Sequence, residues 1–234
     1  LMMLDLIANN NWKRPIYFSG GAYDDEDFLW MKNYLQLDGM TYKLVPIKTE
    51  IPKDASPLEM GGIDTDKMYA NVMKWDWGNS ESLSIYHDPE TRKNSITYRS
   101  YLSRLMNQLI LEGKKEKAKN IITLAMNKMP LEQFGYYSLL EPFAKGYYDL
   151  GENAKAQDLL SKLILKYKEN LKYYSSLTPS DQTSLAIDII TDIERYRSLL
   201  LVMKESGDAT FYNKNKAQFN TYVSIFERFG REKE

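Results

Sequence analysis

Cysteine is absent from this chain of 234 residues, so disulfides and thiolate-ligated metals are excluded and the redox compartment is left open. Histidine occurs once, at His87, which rules out two-histidine zinc sites and the H-E-x-x-H arrangement. No apolar run approaches the ~20 residues that cross a bilayer; the most apolar, Leu199 to Met203, is far too short. Neither sign of charge dominates. Lys and Arg number 31 against 32 Asp and Glu, a formal net charge of −1, which gives no electrostatic reason to expect nucleic acid. Leu1 is not a natural start residue, so the chain is expected to be a fragment or to have lost its beginning.

What is present is tyrosine and a repeat. Aromatics make up 13% of the chain, with 18 tyrosines, a residue that suits both helix packing and half-wet binding surfaces. Aligning Gly113 with Gly151 sets Leu102 on Leu140, Leu105 on Phe143, Ala118 on Ala156 and Ile122 on Leu160. Each copy reads as helix, glycine turn, helix, with a small residue where the second helix crosses the first, which is the tetratricopeptide pattern. Ala125 and Pro130 complete it in the first copy, and Ala144 and Tyr147 in the second, which departs at Leu163 and Lys168. The glycines lie 38 positions apart (151 − 113), over the usual ~34, so an insertion is expected around Gln133 to Tyr136.

Upstream, Leu1 to Asn10 reads as a short apolar helix and Ile16 to Phe18 as a strand. Asp24 to Leu37 reads as a helix with acids in its first turn, stopped by Gly39. Thr41 to Ile47 reads as a second strand with Pro46 near its end, parallel to the first across a strand–helix–strand unit. Lys48 to Gly62 reads as a loop and Asp64 to Lys74 as a helix with Asp64 or Thr65 as its cap. Trp75 to Asn79 is an aromatic-rich turn. From Pro89 onward only helices are expected, over 90–112, 115–128, 133–150, 153–174, 179–206 and 209–229, with Asp88-Pro89 and Thr178-Pro179 as starts and the last helix as a solenoid cap.

The residues offer little catalytic chemistry. Gly20-Gly21 follows a strand, but the G-x-G-x-x-G and Walker spacings are missing, and Asp24, Asp25, Glu26 and Asp27 would repel a phosphate. There is no G-x-S-x-G elbow to pair with His87, which reads as a loop histidine. Asp64-Thr65-Asp66 and Asp88-Pro89-Glu90 are acidic pairs better explained as helix starts than as calcium or acid/base sites. No catalytic residue, metal site or cofactor is expected. Two binding features stand out. Trp12 and Arg14 form either a ligand platform or an aromatic anchor for the first helix. The tyrosine pairs 136–137, 147–148 and 173–174 can each turn only one ring inward; Tyr136, Tyr147, Tyr148 and Tyr173 are the candidates to line a concave groove, against the plainer reading of inter-helix packing.

Four segments, in order, carry a resemblance: NNNWKRPIYF (9–18), YLQLDGMTYKLVPIKT (34–49), DTDKMYANVM (64–73) with Trp77-Gly78-Asn79, and the EGKKEKA turn ending at Ala118. Together they resemble the C-terminal soluble part of a family of bacterial multi-span membrane proteins similar to protein O-mannosyltransferase-like, GT-C-type glycosyltransferases. The resemblance covers roughly residues 1 to 170 and is densest in the first 80. It implies a membrane domain before Leu1, a tail on the periplasmic side of the inner membrane, and a catalytic acid in the membrane part that no position here matches.

The expected protein is therefore α+β. A small strand–helix–strand unit (1–88) precedes a mainly α, tetratricopeptide-like array (89–234), with repeats at about 99–132 and 137–170 and then capping helices. The leading expectation is a non-catalytic accessory domain that binds a protein or glycan partner on its concave helical face and serves its own upstream membrane domain. A general protein-interaction scaffold is the alternative, and a self-contained enzyme comes third.

Overall fold

The computed structural model describes residues 2–19, 30–51 and 59–229. By its internal contacts the chain divides into two compact units, Leu1–Gly135 and Tyr136–Glu234.

In the first unit, helix α1 (Met2–Asn10) precedes strand β1 (Tyr17–Ser19). A single 3-10 turn (Lys32–Tyr34) then leads into β2 (Leu35–Asp38), β3 (Thr41–Leu44) and β4 (Gly62–Ile63). The strand–helix–strand order is thus present, and the fold is α+β as the sequence implies. Two details differ from expectation. Residues 24–29 of the expected 24–37 helix lie outside the described residues, as do Gly20 and Gly21, but Leu35 to Asp38 is strand. Leu35 and Leu37 are buried while Gln36 and Asp38 are half-exposed, the two-residue alternation of a strand over a core. The two strands of the expected parallel pair, β1 and β3, are in fact antiparallel, with Phe18 opposite Tyr42. β2 and β3 form a hairpin with Asp38 opposite Thr41, and Gly39 at φ +72 turns its two-residue loop. A hairpin forces that pair antiparallel, and the only parallel pairing among the described strands is β2 with β4.

Phe18, Leu35, Leu37, Tyr42 and Leu44 are the buried residues of this sheet. Helix α2 (Thr65–Val72) starts at Asp64, whose carboxylate accepts from the Lys67 amide, and buries Met68 and Val72. Helix α3 (Pro89–Leu111) starts at Asp88, which accepts from the Glu90 and Thr91 amides, with Pro89 in its first turn as the sequence implies. The Tyr101 ring meets Tyr42 edge-on at 5.8 Å, which packs α3 on the sheet. Arg104 Nη2 donates to Gly61 O at 2.7 Å beside it.

Helix α4 (Lys115–Lys128) folds back on α3 through Gly113. At this turn Lys114 N donates to Leu109 O at 2.8 Å and Gly113 N to Ile110 O at 3.0 Å. That is the Schellman closure, and it requires the left-handed residue that Gly113 supplies at φ +74. A short helix α5 (Leu131–Phe134) ends the unit.

The second unit repeats the device. Helix α6 (Glu141–Asp149) and α7 (Asn153–Ser175) turn at Gly151, where Glu152 N reaches Tyr147 O at 2.8 Å. Ala118 and Ala156 are both fully buried, as the alignment of the copies requires. After α8 (Pro179–Ser184), α9 (Ala186–Glu205) and α10 (Ala209–Ile225) turn at Gly207, where Asp208 N reaches Met203 O at 3.0 Å. This third closure is the same, but position 212, which aligns with Ala118, is Tyr212, so the sequence repeat is lost there. The expected 133–150 helix is broken. Gly135 and Tyr136 take φ of +66 and +48, and a 3-10 turn (Tyr137–Leu140) separates α5 from α6, at the expected insertion. The expected 179–206 helix breaks at Leu185.

Candidate functional site

The six candidate binding residues are divided between the two units, Trp12 and Arg14 in the first and Tyr136, Tyr147, Tyr148 and Tyr173 in the second. In the first unit, Trp12 is 54% exposed at φ +56. Arg14 lines a cavity of about 620 Å³ with Leu6, Asn9, Asn10, Lys13, Pro15 and Ile16, which Trp12 does not join. The Asn10 side chain holds the Arg14 backbone there, accepting from its amide and donating to its carbonyl at 2.8 Å. In the second unit, Tyr136 is exposed and immediately precedes the 3-10 turn. Tyr147 is half-buried with Lys155 Nζ 5.9 Å over its ring. Tyr148 is buried, and its hydroxyl donates to Asp208 Oδ2 at 2.7 Å. Tyr173 is 58% exposed beside Tyr174. One ring of each pair is thus more buried than the other.

Two inward tyrosines of the second unit each hold a carboxylate. Asp208 also accepts from Gln157 Nε2 at 2.7 Å. Burial pushes Asp208 up, but the bonds from Gln157, Tyr148 and the Phe211 amide outweigh it and hold its pKa below the ordinary value. Asp192 is 6% exposed and accepts from Asn170 Nδ2 at 2.8 Å and Tyr174 Oη at 3.4 Å. There burial wins, and its pKa is raised.

The acidic pairs serve structure, as their sequence context suggests. Asp66 pairs with Lys114 Nζ at 2.8 Å and Lys117 Nζ at 2.6 Å, whose hydrogen bonds lower its pKa to about 2. Thr65 Oγ1 donates to Glu112 Oε2 at 2.5 Å. These bonds bind the start of α2 to the Gly113 turn. Among the described residues no group of three or more acids and histidines is placed to hold a metal.

A further feature of the first unit lies where the sequence implies only an aromatic-rich turn, 75–79. Trp75, Trp77 and Tyr98 pack as a triad, with ring centroids 5.4 to 5.7 Å apart. His87 lies on the Phe134 ring at 4.6 Å, and its Nε2 bonds Ser80 O at 2.9 Å. Between them is a cavity of about 230 Å³ walled by Trp77, Tyr98, His87, Phe134 and Met129, with Asp76 and Asn94 in its lining. A second cavity, about 290 Å³, shares His87 and is lined by Leu83 to Tyr86 and Gln133. The loop that carries them is tied to the end of α4. Ser80 Oγ donates to Lys128 O at 2.7 Å, Lys128 pairs with Glu81, and Gln133 Nε2 donates to Ser82 O at 2.7 Å. Below, fully buried Arg99 donates to Gly135 O at 2.5 Å and Met129 O at 2.8 Å, and burial lowers its pKa to about 10. The signal for this site in the sequence was the W-D-W-G run (75–78), unusual in a turn, followed by the one histidine.

Residues 1–67 match the family model described as TMEM260-associated domain 2. The match takes in α1, the whole sheet and the first turn of α2, and stops before the helical hairpins. No curated protein and no solved structure matches the chain. Among the described residues, no helix is long and apolar enough to cross a membrane.

Proposed function

We propose that this chain is a non-catalytic accessory domain of a membrane-embedded, glycosyltransferase-like protein, on the periplasmic side of the inner membrane, where it recognises an acceptor protein or glycan. The observation that carries the reading is the TMEM260-associated match over residues 1–67, which falls on the stretch where the resemblance to that membrane family is densest. In this reading residues 1–88 serve the upstream membrane domain, and the tetratricopeptide-like array, 89–234, meets the partner with its exposed tyrosines. A second reading, a general protein-interaction scaffold of tetratricopeptide type, is favoured by the three glycine-closed hairpins, because stacked helix pairs commonly serve as binding surfaces.

The test is capture from detergent-solubilised envelope on the immobilised chain, read by mass spectrometry, with a glycan array in parallel. The accessory reading expects a multi-span membrane protein, its glycosylated acceptor or a defined glycan to be retained. Alanine at Trp12, Arg14 or Tyr173, all exposed, should reduce retention while the fold is kept. Retention of unrelated soluble proteins alone would favour the scaffold. Silence in both assays from a well-folded chain would end both readings.

A further inference from the structure

The paired cavities around His87 have a chemistry of their own. Most of their polar groups are already spent on the protein. Ser95 Oγ donates to Arg92 O at 2.7 Å, Thr91 Oγ1 donates to Asp88 Oδ2 at 2.5 Å, and Asp76 Oδ1 accepts from Gly78 N at 2.9 Å. The His87 Nε2 and Ser80 Oγ bonds are internal as well. What the walls present is aromatic and apolar, and the apolar surface continues outward through Leu83, 84% exposed, and Tyr86, 82% exposed. Two of their buried polar atoms are left over. Trp77 Nε1 is a buried donor and Gln133 Oε1 a buried acceptor, and neither meets a hydrogen-bond partner. Such atoms are rare in folded proteins and call for an explanation.

We propose that these two cavities receive an extended, proline-containing peptide segment. A hexose carries hydroxyls around its whole ring and would meet walls that are mainly aromatic and apolar, with Trp77, Tyr98, Met129 and Phe134 among them. An extended peptide needs the opposite surface: apolar hollows for its side chains, one donor for a backbone carbonyl and one acceptor for a backbone N–H. At about 230 and 290 Å³, each hollow falls below the ~300–1,000 Å³ of drug-sized sites and suits a single side chain. Proline fits best, because segments rich in it keep an extended shape without internal hydrogen bonds and dock on aromatic grooves. A small rotation of the half-exposed Trp77 ring and of the Gln133 amide, of the kind common at interfaces, turns both unmatched atoms toward the segment. The inference deepens the binding-domain reading and rests on it only for the premise that the chain recognises a partner.

The experiment is an NMR titration of the isotope-labelled chain, in which each of its four tryptophans gives one indole N–H signal and Trp77→Phe identifies that of Trp77. The probes are a blocked peptide repeating Pro-Pro-Ala, a blocked Gly-Ser-Ala peptide of equal length, and free glucose, galactose and mannose. The expected result is a saturable downfield shift of the Trp77 signal with the proline peptide alone. Trp77→Phe, which keeps a ring and deletes the donor, should weaken binding about 5- to 10-fold, read on the Trp75 signal. Gln133→Leu should weaken it by a similar factor, which covers the case of a Trp77 variant that fails to fold. A shift produced by a hexose, or none with any probe into the millimolar range, overturns the proposal. The purified chain and synthetic probes leave the envelope capture experiment to fail or succeed on its own.

Discussion

The hairpins α3–α4 and α6–α7 share a turn and a buried alanine, yet they are braced by different chemistry. In the first unit the bracing is polar, made within the hairpin by Arg99 and from outside it at Gly61 and Asp66. Arg99 anchors the end of α4, Arg104 reaches the loop before β4, and Asp66 grips both lysines at the Gly113 turn. In the second unit the position aligned with Arg99 is Tyr137, and the polar work falls to tyrosines, the buried Tyr148 on Asp208 and the half-buried Tyr174 on Asp192. Core volumes are also redistributed. Met106 and Ala125 of the first hairpin align with Ala144 and Leu163 of the second, and all four are buried. One large residue is kept per hairpin but changes helix, which suits a core that conserves total volume rather than identity. The repeat therefore fixes how helices turn and cross, while what surrounds them decides where cavities open. The aromatic hollow lies beside the arginine-anchored hairpin.

The largest effect that would break this contrast is at Arg99. Arg99→Met leaves the Met129 and Gly135 carbonyls without that donor in a buried place, at about 1–3 kcal/mol for each acceptor. We expect about 3 kcal/mol lost in urea unfolding. Tyr137→Phe, at the aligned and only half-buried position, should cost about 0.5 kcal/mol. All four tryptophans, at 12, 30, 75 and 77, lie in the first unit, so indole fluorescence reads the Arg99 effect directly. Equal losses at the two positions would mean that the arginine anchor is not what distinguishes the hairpins.

The three turns should behave alike. Gly113, Gly151 and Gly207 take φ of +74, +77 and +76, and a Cβ added at any of them meets nothing within 4 Å. Alanine there should cost only the left-handed backbone penalty, about 1–2 kcal/mol, and asparagine less. A much larger loss at one turn would show a brace that the other two lack.

Legibility in the sequence followed the strength of local signals. The caps Asp64, Asp88 and Thr178, the turn glycines and the buried alanines were readable because each is fixed by backbone chemistry within a few residues. The segment 35–38 departs from the expected helix because the acids upstream suggest a helix start, whereas Leu35 and Leu37 alternating before an Asp-Gly turn are the stronger, strand signal. The third hairpin was hidden because Tyr212 replaces the small residue that marks the other two. The aromatic hollow was only half legible. Trp75 and Trp77 were conspicuous, but Tyr98, Phe134 and His87 come to them only through the folding of α3 against α4 and α5, which no local pattern encodes.

The smallest and sharpest test lies within the second unit, where its two tyrosine-held carboxylates should respond to pH with opposite sign. Asp192 has a raised folded pKa, chiefly through burial. The stability it contributes is full below its unfolded pKa, near 3.8, and is lost as pH rises through the folded value. Asp192→Asn can still accept from Asn170 and Tyr174 and carries no charge to desolvate. It should therefore raise the denaturation midpoint at pH 7, by less than about 1 kcal/mol, and match the parent near pH 3. Asp208 has a lowered folded pKa, because its hydrogen bonds outweigh burial. Its stabilisation is present above the unfolded pKa and is lost as pH falls through the folded value. Asp208→Asn keeps a competent helix cap but weakens the bonds from Gln157 and Tyr148, so it should lower the midpoint at pH 7 and converge with the parent in acid. If both variants moved the midpoint in the same direction at pH 7, the balance of burial against hydrogen bonding would have been misjudged at one of the two sites. The pH at which each curve rejoins the parent would identify which.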